Sequence, residues 1–183
     1  GAFARCASLT HVVLPMGVES VADGAFADCA KLERVNLPEG LRTIGWEAFS
    51  GCKSLCELTV PETVESVDWK SFAGCTALRS VRLLNGVGEI GLQAFEGCTS
   101  LEDVLAPATV TSIGDFAFAG CGRLKGITLP DGLYAIAAGT FRGCASLERL
   151  ALPDGLAEVG DRAFEGCKNL RAIALPQSVV TVG

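Results

Sequence analysis

Eight phenylalanines stand 23 residues apart without one insertion or deletion: Phe3, Phe26, Phe49, Phe72, Phe95, Phe118, Phe141 and Phe164. Cysteine keeps the same interval from Cys6 and Cys29 through to Cys167, and all seven prolines (Pro15, Pro38, Pro61, Pro107, Pro130, Pro153, Pro176) share one slot. Leu84 fills the one remaining place in that proline series. A fixed period of this size marks a solenoid, because a unit so short cannot bury its own apolar side and must stack on its neighbours. The period divides the chain into eight units beginning at residues 2, 25, 48, 71, 94, 117, 140 and 163, one domain over 1–183. Neither end leaves room for the polar cap that closes such a stack. The expectation is therefore a segment of a longer chain, or ends covered by another chain.

Each unit reads alike. In unit six, Leu124-x-x-Ile127-x-Leu129 has the alternation of a short strand with one buried face. Pro130 then ends the ladder, since it has no N–H to donate. A turn follows, then Leu133-x-x-Ile136, a second and shorter strand. The Ala-Phe-x-Gly-Cys segment is too short for a regular helix and reads as a single helical turn stopped by glycine. The fold class expected is an α/β repeat, a right-handed solenoid with a parallel sheet on its concave side. At about 4.8 Å per strand, eight units make an arc roughly 35–40 Å long.

The unit Leu32-x-x-Val35-x-Leu37-Pro38-x-x-Leu41-x-x-Ile44-x-x-x-Ala48-Phe49-x-x-Cys52 resembles the leucine-rich repeats of the Treponema-type, BspA-like family. The likeness runs through essentially every residue. It implies a curved leucine-rich-repeat solenoid that recognises proteins, with no catalytic residue to carry over. The family includes bacterial surface proteins that adhere to host matrix or to other cells, which implies a cell-surface or secreted location. Its abundance in protists leaves an intracellular assembly open.

The composition excludes other classes. With 49% hydrophobic and 20% charged residues, the chain is no disordered acidic tail. A net charge of -6 disfavours nucleic acid, which needs a basic surface. No apolar run is long enough to cross a membrane as a helix. Eight of the nine cysteines share one slot and so point the same way into the core, packing as small hydrophobes whose thiols meet backbone carbonyls. Parallel side chains disfavour disulfides, and no converging ligand set for zinc appears. Cys56 is the exception, in a slot that is charged in most other units: an incidental surface thiol, or a reactive one. The single histidine, His11, stands two units from Cys56, about 9–10 Å on sheet spacing, too far for a catalytic pair. No cofactor motif and no enzyme constellation is present.

Recognition, if this chain performs it, belongs to the slots that vary. On the outward strand positions the polar candidates are Arg34, Glu57, Arg82 and Asp103, set on a concave protein-binding face or an ordinary solvated one. A second candidate lies just before the Ala-Phe turn. There Asp23, Asp115, Ala138 and Asp161 of four units give way to Trp46, Trp69 and Leu92 in three consecutive ones, with Phe116 one residue further along in the next. Stacked, these four form an apolar edge stripe, either an interface or local packing over loops. The function expected is a non-catalytic protein-recognition scaffold, adhesin-like; the alternative is a structural or assembly subunit held permanently in a larger complex.

Overall fold

The computed structural model describes Gly1–Gly183 as a stack of parallel turns carrying two rows of short strands. The first row comprises β1 (His11–Val13), β3 (Arg34–Asn36), β5 (Glu57–Val60), β7 (Ser80–Leu83) and β9 (Asp103–Leu105). The second comprises the two-residue strands β2 (Ser20–Val21), β4 (Thr43–Ile44), β6 (Ser66–Val67), β8 (Glu89–Ile90), β10 (Ser112–Ile113), β11 (Ala135–Ile136), β12 (Glu158–Val159) and β13 (Thr181–Val182). Every pairing is parallel and joins a residue to its counterpart one unit on, as in His11↔Arg34, Leu58↔Val81 and Val67↔Ile90. The period-two pattern decides the faces: Leu58 and Val60 are buried while Glu57 and Thr59 face out.

Two features depart from the sequence reading. The first-row sheet is not continuous. It is split between β3 and β5, which do not pair, and no strand follows β9 in that row. Ile127, Leu129 and Leu150 still bury their side chains there, yet the main chains of 124–129 and 147–152 are joined only by Glu148 N–H donating to Lys125 O at 3.2 Å. The residues explain the loss. Gly126 brings no side chain to pack, and Ala151, Ala172 and Ala174 are poor strand formers. Leu84 acts in the opposite sense, since its N–H donates to Val60 O at 3.1 Å, one ladder bond that a proline in this slot cannot make.

The second departure is the Ala-Phe-x-Gly-Cys arc, which contains no helix. Its amides alternate in direction. Ala48, Ser50 and Cys52 donate three residues back to Gly45, Glu47 and Phe49, closing successive turns. Glu47, Phe49 and Gly51 donate instead to Trp69, Ser71 and Ala73 of the next unit, at 2.9, 2.8 and 2.7 Å. A helix would close all these bonds within itself; here half of them bind unit to unit. The alternation requires left-handed backbone twice per unit. One such slot holds Gly51 (φ +71) and its equivalents, the other Glu47, Lys70, Gln93 and Phe116 at φ 52–56.

The core runs the length of the stack. The eight series phenylalanines lie face to face, with ring centroids 5.2–5.8 Å apart and planes within 11°. Beside them runs the thiol ladder. Each Sγ from Cys29 to Cys167 donates to the carbonyl of the phenylalanine one unit back, at 3.1 Å for Cys29–Phe3 and 3.3 Å for Cys98–Phe72. No buried side-chain nitrogen or oxygen lacks a partner.

Candidate protein-recognition surfaces

The ladder thiols are chemically silent. Burial pushes Cys52, Cys98 and Cys144 up to about 12 and Cys75 and Cys121 well above the ordinary thiol value. They persist as protonated donors, not as nucleophiles or metal ligands. No three His, Cys, Asp or Glu side chains converge as a metal site, and no helix is long and apolar enough to cross a membrane.

The four polar residues of the first-row face all stand exposed on outward positions. None takes part in an ion pair; the three in the chain, Arg5–Asp28, Arg42–Glu19 and Arg142–Glu165, lie elsewhere. Arg34 and Glu57 stand on opposite sides of the break between β3 and β5, lining a cleft of about 660 Å³ with His11, Asn36, Cys56 and Thr59. Arg82 and Asp103 lie outside the cleft on β7 and β9, where Arg82 pairs with Leu105 and Asp103 with Ser80. His11 and Cys56 share the cleft without bonding each other. His11 Nδ1 lies 2.9 Å from Thr10 Oγ1, and Cys56 Sγ donates to Ser54 O at 3.2 Å. Repeat logic missed the cleft because Val35 and Leu58 obey the same pattern on both sides of the break.

At the aromatic edge, Trp46 is 56% exposed and Leu92 42%, whereas Trp69 and Phe116 are half-buried. The two indoles meet edge to face, centroids 6.0 Å apart. Trp69 is held from both sides: its Nε1–H donates to Gln93 Oε1 at 3.3 Å, and Lys70 Nζ sits 5.2 Å above its ring. Phe116 turns away from the other three. Its left-handed backbone (φ 56) lays the ring on Gly139, in the space a Cβ there would fill. Tyr134, 61% exposed, extends the apolar edge instead, and with Leu92, Ile113, Gly114 and Ala137 it lines a groove of about 500 Å³. Sequence reasoning passed over Tyr134, although the signal was present: it is the chain's single tyrosine.

The tryptophans also displace a hydrogen-bond device. Where the edge slot holds aspartate, its carboxylate accepts the N–H of the equivalent residue one unit on: Asp23 Oδ1 from Trp46 at 2.8 Å, Asp115 Oδ1 from Ala138 at 3.0 Å. Trp46, Trp69 and Leu92 have no such acceptor to offer. Ala138 lacks one too, and the N–H groups of Trp69, Leu92, Asp115 and Asp161 accordingly have no partner within the chain. Four units forgo a hydrogen bond worth about 1 kcal/mol each, and the three successive ones carry a large apolar side chain in the carboxylate's place.

Parallel rows, a stacked phenylalanine spine and an uninterrupted 23-residue unit define a leucine-rich-repeat solenoid. The model of the BspA type leucine rich repeat region, in six copies, matches residues 1–122 and 88–183, and the chain belongs to that family. Such proteins are generally non-catalytic repeat scaffolds, a role consistent with protein interaction. Among solved structures, the chain is similar to the Treponema pallidum leucine-rich repeat protein, with 35% identity and a TM-score of 0.84 over 88% of this chain and 78% of that one. It is also similar to a leucine-rich repeat protein of Eubacterium ventriosum, at 26% identity and TM-score 0.78, over 92% of this chain and 45% of the other. A leucine-rich cell surface protein of Faecalibacterium prausnitzii matches at 26% identity and TM-score 0.62, over 99% of this chain and 61% of its own length. The chain thus spans less than half of the second and about three-fifths of the third. None of the curated proteins matches it.

Proposed function

We propose that this solenoid is a non-catalytic recognition scaffold of adhesin type, working at a cell surface and binding partner proteins through two surfaces. One is the first-row face with Arg34, Glu57, Arg82 and Asp103; the other is the edge carrying Trp46, Trp69 and Leu92, flanked by Phe116. A single observation carries the reading: three consecutive units give up an aspartate cap to expose apolar side chains. That arrangement costs stability in the isolated chain, and a partner that buries the indoles gains what the fold forgoes. The cell surface protein among the similar structures supports the location. A spacer or permanent assembly subunit is the alternative, and it would show a larger and drier contact than a transient recognition face.

The test is affinity capture from surface and matrix protein preparations with three chains: the native protein, Trp46→Ser/Trp69→Ser, and Arg34→Glu/Arg82→Glu. Variants with unchanged circular dichroism and melting should each lose captured proteins. Identical capture by all three removes both surfaces from consideration.

A further inference from the structure

We propose that Asn85 is a self-modification site: the main-chain nitrogen of Gly86 attacks its carboxamide and expels ammonia, and water opens the resulting imide to aspartate or isoaspartate. The new carboxylate arises one residue from Leu84, which lines the first-row cleft, so the modification alters that face slowly as the molecule ages.

Of the asparagines Asn36, Asn85 and Asn169, only Asn85 is followed by glycine. The attacking nitrogen is therefore unshielded, since glycine has no Cβ to crowd it. The fold leaves the pair accessible. Asn85 is exposed, and with Gly86 it forms the middle of a turn closed by Val87 N–H donating to Leu84 O at 3.2 Å. The N–H groups of Asn85 and Gly86 donate to no acceptor in the chain, so no ladder has to open before the ring can close. The other two asparagines are held. Asn36 lies within β3, paired with Val13, and precedes Leu37. Asn169 precedes Leu170, whose N–H donates to Cys167 O at 3.1 Å.

Ring closure joins Gly86 N to Asn85 Cγ and breaks the bond from Cγ to the side-chain nitrogen, which leaves as ammonia with the proton from Gly86. Water then adds to one of the two imide carbonyls. Cleavage at Cγ gives aspartate in an ordinary chain. Cleavage at the main-chain carbonyl gives isoaspartate, whose chain runs through the side-chain carbon and is one atom longer. The fold receives the two products differently. Units six and seven already carry Asp131-Gly132 and Asp154-Gly155 in this slot, so aspartate suits the turn. Isoaspartate has no such room, because Gly86 lies so near unit three that even a Cβ on it would overlap Glu62 O. The lengthened turn must lift away from Glu62, which loosens the Leu84 N–H bond to Val60 O and shifts the Leu84 side of the cleft.

The test is to age the folded protein in mildly alkaline buffer and map its peptides by mass spectrometry, with electron-transfer fragmentation to separate isoaspartate from aspartate. The peptide holding Asn85 should gain about 1 Da, the exchange of an amide for a carboxylate. Its conversion should run about tenfold faster than at Asn36 or Asn169, where leucine follows. Asn85→Gln, which must close a larger ring, should stay unmodified over the same period. In hydrogen exchange, the Leu84 amide should open about tenfold faster in the isoaspartate form and keep its native protection in Asn85→Asp. A chain that converts Asn85 when unfolded in urea but not when folded overturns the proposal, because the turn then protects the site. Equal conversion at all three asparagines overturns it too. Native protection of Leu84 in the isoaspartate form would remove the effect on the cleft.

Discussion

The ring of Phe116 occupies the space above Gly139 that a side chain at that position would need: a Cβ there would overlap Phe116 Cε1 and Cδ1. Both residues are left-handed, at φ 56 and 60, in the same slot of successive units. The pair is a local lock in which an aromatic residue accepts backbone strain because the next unit keeps its place empty. Gly139→Ala should destabilise the fold by about 2–4 kcal/mol, through the clash and the left-handed backbone together. Phe116→Ala in the same chain should recover most of that, leaving about 1 kcal/mol of backbone cost. Urea unfolding of the two single variants and the double variant measures the coupling. Additive effects would show that ring and glycine do not interact.

The thiol ladder predicts an alkaline limit to stability. Folded thiols hold their protons to higher pH than unfolded ones, so above the ordinary thiol value the folded state binds more protons and is weakened as pH rises. Their contribution is intact below about pH 8.5 and is lost progressively toward the folded value, which burial pushes up to about 12 for Cys52, Cys98 and Cys144. Each buried thiol subtracts about 1.4 kcal/mol per pH unit in that window. Cooperative unfolding should set in near pH 10, as about five such thiols act together. Replacing Cys75 and Cys98 by Ala should lower stability at pH 7 yet flatten the pH slope by about two thiols' worth. A slope unchanged in that variant would show that other groups govern alkaline unfolding.

The broken first-row ladder predicts uneven hydrogen exchange. Amides paired between β5, β7 and β9 should be protected to nearly the global limit. Those of Gly126–Leu129 and Arg149–Leu152, where Glu148–Lys125 is the one main-chain bond between the two segments, should exchange at least a hundredfold faster although Ile127 and Leu150 are buried. Equal protection along the row would mean that the ladder closes in solution.

What could be read in advance follows from what periodicity encodes. Phe49, Cys52, Leu55 and Leu58 recur because stacking needs them, so the spine, the thiol ladder and the inward faces were legible as spacing. The direction of an amide is not. Gly51 suits a helix stop and a left-handed turn equally, so residue types could not show that Phe49 N–H reaches Ser71 in the next unit. The break between β3 and β5 was likewise hidden, for the buried residues on either side follow one rule. At the edge, Trp46, Trp69 and Leu92 were conspicuous as violations of an aspartate slot. Phe116 looked like their continuation, but the left-handed backbone of its slot turns it onto Gly139, while Tyr134, four slots away from the aspartate series, supplies the apolar surface.

The alternating amides of the arc also bear on mechanics. Beside each junction between units, three arc bonds lie along the long axis, so a pull on the ends loads them in parallel with the strand rows. From unit six onward the first row contributes almost no bonds, and tension must run through the arc and the second row alone. A stretched molecule would therefore part from one side, like a zip opening, at the junctions where the first row is unpaired: between β3 and β5, and after β9.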